Sequence, residues 1–144
     1  MENMGLIYSL SAAVCWGVVY ALDQKVLEHI SPISLMFFYS VFSVIVLLPF
    51  MLLNNNELFK SFFNSGKDNL TMASITIVLA IAANLLILFG IKSLGASHAS
   101  ILEIAYPFFV ILFSFLIFRT SPSIYFYIGG LLIFIGSVII TKLS

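Results

Sequence analysis

The chain is 144 residues long, 62% of them hydrophobic and 8% charged, with a net charge of zero and a mean hydropathy of +1.17. Soluble domains carry about 25% charged residues, so this composition excludes a water-soluble surface and points to an integral membrane protein. The neutral charge balance offers nothing to nucleic acid, and the single cysteine, Cys15, excludes an intrachain disulfide.

Five apolar segments follow one another, at 4–22, 32–53, 70–91, 96–118 and 123–143. Each is close to the roughly 20 residues that a helix needs to cross the hydrocarbon, and none alternates as a barrel strand would. The expected fold is therefore all-α and membrane-embedded, with five transmembrane helices in a single domain over 1–144. Met1, Glu2 and Asn3 supply no basic leader, so the first helix is expected to be retained.

The first segment places Ser9, Ala13, Gly17 and Ala21 four apart, a strip of small residues that lets another backbone approach. Trp16 lies beside it, either packed or lining a cavity. In the linker at 23–31, Leu22, Val26, Leu27 and Ile30 keep helical spacing, so the first helix is free to run on out of the membrane. Ser31-Pro32 starts the second helix as cap and first residue. Tyr39 and Ser43 share one face of it, and Pro49 sits near its far end, where a kink costs least.

The stretch 54–69 is the longest polar one. Within it Leu58, Phe59, Phe62 and Phe63 fall on one side of a short helix expected at the membrane surface. The sequence Asn69-Leu70-Thr71 has the form of a glycosylation acceptor but abuts a helix, and is read as chance. The third long segment is apolar except for Asn84, and a short turn at 92–95 leads back into the fourth.

The fourth segment is the least ordinary. It is apolar enough to span, yet it carries Glu103, and four residues later Pro107. A charge at that depth costs about 2.5–3.5 kcal/mol on insertion scales. The proline withholds the hydrogen bond due to the carbonyl four residues back, which belongs to Glu103. An acid and a broken backbone ladder thus fall together, and freed backbone at depth is tolerated only against protein or water. The fifth segment carries Gly129, Gly130 and Gly136. Gly129 and Gly136 are seven apart and form a candidate close-packing seam, within the chain or between chains.

Counted at 1.5 Å per residue from one membrane face, Trp16, Tyr39, Asn84 and Glu103 lie roughly 9–11 Å deep. On the fourth helix Ser100, Glu103 and Tyr106 or Pro107 share a face. One polar, aromatic layer at a common depth has the form of a solute site in a transporter core. The alternative is that Asn84 and Glu103 bond to each other for structure alone. Lys60, Lys67 and Arg119 fall on one side of the membrane and Lys25, Lys92 and Lys142 on the other. With no bias to orient it, the chain is expected to insert both ways up and to pair in opposite orientations.

Three stretches make the pattern familiar: AAVCWGVVYALDQKVLEHISP with Trp16-Gly17, Lys25 and Ser31-Pro32; GIKSLGASHASILEIAYPFFVILFSFLIF with its small-residue turn and Pro107; and IGGLLIFIGSVII. Together they resemble a single EamA domain of the drug/metabolite transporter superfamily, over nearly the whole chain. The resemblance implies one half of a ten-helix inverted repeat that exports amino acids, drugs or other small metabolites, and hence a homodimer or a pair with a sister chain. Two departures stand out: Tyr39 aligns where relatives often have arginine, and Thr120 where they often have glutamate. The small multidrug resistance proteins of the same superfamily use four helices and a glutamate in the first, so Glu103 would be analogous to that group rather than equivalent.

The function expected on these grounds is secondary transport of a small amphipathic or cationic solute, in a prokaryotic inner (plasma) membrane, with no cofactor. Glu103 would hold proton and solute in turn; Tyr39, Trp16 and Tyr106 would contact the solute through their ring faces; Asn84 would orient Glu103. A non-transporting subunit of a larger complex and a lipid-linked sugar translocation subunit are the alternatives. Enzymatic chemistry is not expected: the sequence offers no metal-ligand cluster, no Ser/His/Asp set at matched depth and no Gly-rich phosphate loop, and His98 reads as an interfacial residue.

Overall fold

A computed structural model describes residues 2–53, 57–119 and 123–143. Seven helices run in order: α1 (Glu2–Val26), α2 (Pro32–Leu53), α3 (Glu57–Phe63), α4 (Lys67–Leu94), α5 (Ala96–Glu103), α6 (Tyr106–Phe118) and α7 (Ile124–Leu143). No strand occurs among the described residues. Five spans are long and apolar enough to cross a membrane, α5 and α6 together making the fourth. The architecture is thus a five-span helical membrane fold.

The helices overrun the apolar segments. α1 continues past its apolar segment to Val26, in line with the helical spacing of Leu22 and Val26, and α4 covers Lys67–Leu94 rather than 70–91. Hydropathy marks what lipid tolerates, whereas a helix persists as long as its backbone and polar side chains find partners. Asp23, polar and only 4% exposed, lies inside the extended part of α1. The turn expected at 92–95 shrinks to Gly95 alone.

Gly95 can make that turn because it takes φ 83°, ψ 159°, a region open essentially to glycine only. Its N–H closes α4 on the Ile91 carbonyl at 2.9 Å. The fourth span is not one kinked helix but two pieces. Ile104 and Ala105 form a turn between them, with Ala105 N–H on Leu102 O at 3.3 Å and Phe108 N–H on Ala105 O at 3.1 Å. Pro107 then sits in the first turn of α6, where a missing N–H costs nothing.

The chain falls into two compact units: the part up to Lys25 with everything from Gly90 onward, and the part from Val26 to Phe89. In the first unit α7 packs against both α5 and α6. The close approach is at Gly130, where an added Cβ would lie 3.4 Å from Ile111 Cδ1 and 3.9 Å from the Phe108 Cα. Phe108 and Phe134 stack beside it at 5.7 Å. Ser137 is buried and donates to the Phe134 carbonyl at 2.8 Å, so its hydroxyl adds no unpaired donor to the seam.

In the second unit α2 runs through Pro49, four residues from its end. Ser31 caps it as expected: its Oγ accepts the Ser34 N–H at 3.1 Å. α3 carries Leu58, Phe59, Phe62 and Phe63 exposed, as a helix lying on a membrane surface requires.

Candidate functional site

The site builds from α1. Trp16, Tyr20 and Gln24 are spaced four apart and so share a face of that helix. The Trp16 and Tyr20 rings meet edge to face, 5.6 Å between centroids and 64° between planes, a favoured aromatic geometry. The Tyr20 hydroxyl donates to Glu103 Oε2 on α5. One turn further along α1, Gln24 Oε1 accepts the Ala96 N–H at 2.7 Å, satisfying one of the donors that the first turn of α5 leaves open. α1 therefore grips α5 at both of its ends.

Burial is unequal across this contact. Tyr20 is 8% exposed, whereas Glu103 is exposed and Trp16 is 48% exposed. The acid is neither sealed in dry packing nor left without a partner. Its one described hydrogen bond is from a phenol, and the rest of its surface is open.

Beyond Glu103 the chain turns into α6. Tyr106, Pro107, Val110 and Ile111 form one wall of a groove whose other wall is α7, through Tyr125, Phe126, Gly129, Gly130 and Ile133. Its volume is about 490 Å³ and its lining is almost wholly apolar. Within α6, Pro107, Val110 and Ile111 stand one, four and five positions after Tyr106, the spacing of one helical face.

Within the first unit the structure joins several of the expected residues. Trp16 reaches Glu103 through Tyr20. Tyr106 and Pro107 line the groove with Gly129. Ser100, also on α5, turns its hydroxyl to the Ser97 carbonyl at 3.0 Å. Asn84 and Tyr39 belong to the second unit. There the Asn84 Nδ2 donates to the Ala80 carbonyl of its own helix at 2.8 Å; in the first unit Glu103 accepts from Tyr20. The Tyr39 carbonyl accepts from Ser43 Oγ at 2.7 Å.

Gly17, Gly129 and Gly136 would each meet nothing within 4 Å if given a Cβ, and Ala13 is exposed. Among the described residues these positions hold no close helix contact; within the chain that role is Gly130's. Thr120 lies outside the described residues. No group of three or more His, Cys, Asp or Glu is gathered for a metal ion among the described residues.

Tyr20 and Gln24 were not singled out from sequence. The signal that could have found them is the four-residue spacing from Trp16, which puts an indole, a phenol and an amide in line on one face of the helix.

A multi-pass helical membrane protein with an acid inside a broken span and an apolar groove beside it fits a small-solute transporter fold. The profile of the EamA-like transporter family matches residues 3–142, and the chain belongs to that family, within the drug/metabolite transporter superfamily. It is similar to the inner membrane transporter YicL of Salmonella typhimurium, itself uncharacterized, with 28% identity over 123 residues. That match covers 83% of this chain and 40% of YicL, so the chain spans less than half the length of the curated relative. No solved structure matches the chain.

Proposed function

We propose that the chain is half of a secondary transporter for a small amphipathic or cationic solute, working by alternating access as a pair of chains in an inner membrane. The observation that carries this reading is Glu103, an exposed carboxylate within an apolar span, partnered by the Tyr20 phenol. Ionisable groups at such depth face a bundle interior or a water-filled cavity. A carboxylate left open within this domain therefore calls for a second such domain to enclose it.

In this reading Glu103 holds a proton or a cationic group in turn. Trp16 and Tyr106 offer ring faces to the solute, and the α6–α7 groove takes its apolar part. Ser100 is proposed on the sequence, as a neighbour on the α5 face of Glu103. For Tyr39 and Asn84 the proposal also rests on the sequence: both are polar groups inside apolar helices. Gly17, Gly129 and Gly136, where an added Cβ would meet nothing within 4 Å among the described residues, and the exposed Ala13 are proposed to pack between chains. Dual insertion follows from the equal count of basic residues on the two sides.

The test is a thermal-shift screen of the purified protein against amines, amino acids and drugs at two pH values. A ligand at a hundred times its dissociation constant stabilises its target by about 2.7 kcal/mol. The expected result is stabilisation by at least one class of cation that Glu103→Gln abolishes. Stabilisation that survives in Glu103→Gln removes the acid from the site. Co-purification with a sister chain and no response to any ligand would favour the non-transporting subunit.

A further inference from the structure

We propose that Tyr20 is a latch on Glu103: its hydroxyl holds the carboxylate against α1, and the Glu103 end of α5 is released when a cationic group takes the carboxylate. The identity of the displacing group rests on the proposed function; the latch itself is measurable without transport.

Two contrasts carry the inference. The first lies across the hydrogen bond. Tyr20 is 8% exposed and its ring is braced edge-on by Trp16, so the donor is fixed. Glu103 is exposed, so a competitor can reach the acceptor. A bond to a charged acceptor is roughly twice as strong as one between neutral groups, and only a partner that interacts with the charge can replace it.

The second contrast lies between the two ends of α5. At the Ala96 end the backbone is fixed: Gly95 takes its glycine-only conformation, its N–H is held by Ile91, and the Gln24 carbonyl takes the Ala96 N–H. At the Glu103 end the last regular helix bond is from the Ile104 N–H to the Ser100 carbonyl at 2.9 Å, and beyond it only the shorter-range bonds of Ala105 to Leu102 and Phe108 to Ala105 continue the chain into α6. α5 is thus an eight-residue rod with one anchored end and one weak end. α7 packs along α5 as well, so Tyr20 is the tie between the weak end and α1, and losing that bond frees the Glu103 carboxylate from α1 while Gln24 stays in place. Tyr20 is on this account a positioning residue, distinct from the groups that contact solute.

Dicyclohexylcarbodiimide, which modifies carboxyl groups in apolar surroundings, reports how freely Glu103 is presented. The full-length protein in liposomes is treated at one pH, and the adduct on Glu103 is followed by mass spectrometry. Tyr20→Phe keeps the ring and its contact with Trp16 but removes the donor, and is expected to raise the labelling rate about tenfold or more. Trp16→Leu, which unbraces the phenol but keeps its hydroxyl, should fall between Tyr20→Phe and the parent. Gln24→Ala, which cuts the other grip, should leave the rate within about twofold, since the charge on Glu103 keeps its partner.

An unchanged rate in Tyr20→Phe overturns the latch. Equal acceleration in Tyr20→Phe and Gln24→Ala also overturns it, because the effect would then be general loosening. Protection of Glu103 by tetraphenylphosphonium separates the latch from the function it serves. The concentration giving half protection should fall in Tyr20→Phe, whereas a merely structural tyrosine would leave it unchanged or raise it. No protection in either protein would instead strike the proposed cation site, while the labelling rates still judge whether Tyr20 holds the carboxylate.

Discussion

A phenol and an amide, four residues apart on α1, do most to place the acid. Gln24 accepts the Ala96 N–H at a partly buried contact, and removing that acceptor leaves a backbone donor short of its partner. Gln24→Ala is expected to cost about 1–2 kcal/mol, read as a lower midpoint of thermal unfolding in detergent, while Gln24→Glu, which keeps an acceptor at the same reach, should lose less. At this scale the sequence revealed the acid but not its holder. Glu103 stands out because a charge in an apolar run is rare. Tyr20 carries no signal alone, since tyrosine near a helix end is the residue type of a membrane interface. Asn84 was the more conspicuous candidate partner for the same reason as Glu103. Its amide nonetheless donates to its own helix, a choice open to any asparagine with a carbonyl one turn back and invisible in residue order.

The elements show where hydropathy and helicity part. Pro107 marked the break in the fourth span, but the helix gives way two residues earlier, at Ile104 and Ala105, because a proline is best accommodated in the first turn of a new helix. α1 and α4 run past their apolar segments because polar residues such as Asp23 extend a helix when they are buried with partners. Gly95 was legible only as part of a turn; its conformation makes it the hinge. Gly95→Ala should cost about 1–3 kcal/mol through its φ and ψ alone. Its Cβ would also stand 3.5 Å from the Gln24 Oε1 that caps α5. The expected readout is a lower unfolding midpoint than that of Gly66→Ala, at a positive φ but in open space.

The glycines of α7 divide in the same way. Gly130→Leu would force a side chain into Ile111 and Phe108 and should cost about 1–3 kcal/mol by overpacking. Gly129 and Gly136 have open space where a Cβ would be. Gly136→Leu should therefore leave the stability of the single chain unchanged while weakening the pair, a difference that chemical cross-linking in the membrane will read. Equal cross-linking in Gly136→Leu and the parent would place the contact between chains elsewhere.

For the whole molecule, the five-span helical fold was plain from five long apolar runs, because only helices and closed barrels pair their backbone in lipid and these runs do not alternate as barrel strands do. The assembly was not plain. Three basic residues on each side leave orientation balanced, and an impermeant thiol reagent applied to intact cells should label a Ser93→Cys variant, which keeps all six basic residues, in about half the molecules, since the bias rule has nothing to act on. Full labelling or none would mean a single orientation. The account as a whole depends on Glu103, and the most direct measurement is solute uptake driven by a pH gradient into liposomes holding the parent protein or Glu103→Gln. A folded Glu103→Gln protein that no longer responds to the gradient is the predicted result; gradient-driven uptake at the parent's rate in that variant would contradict it.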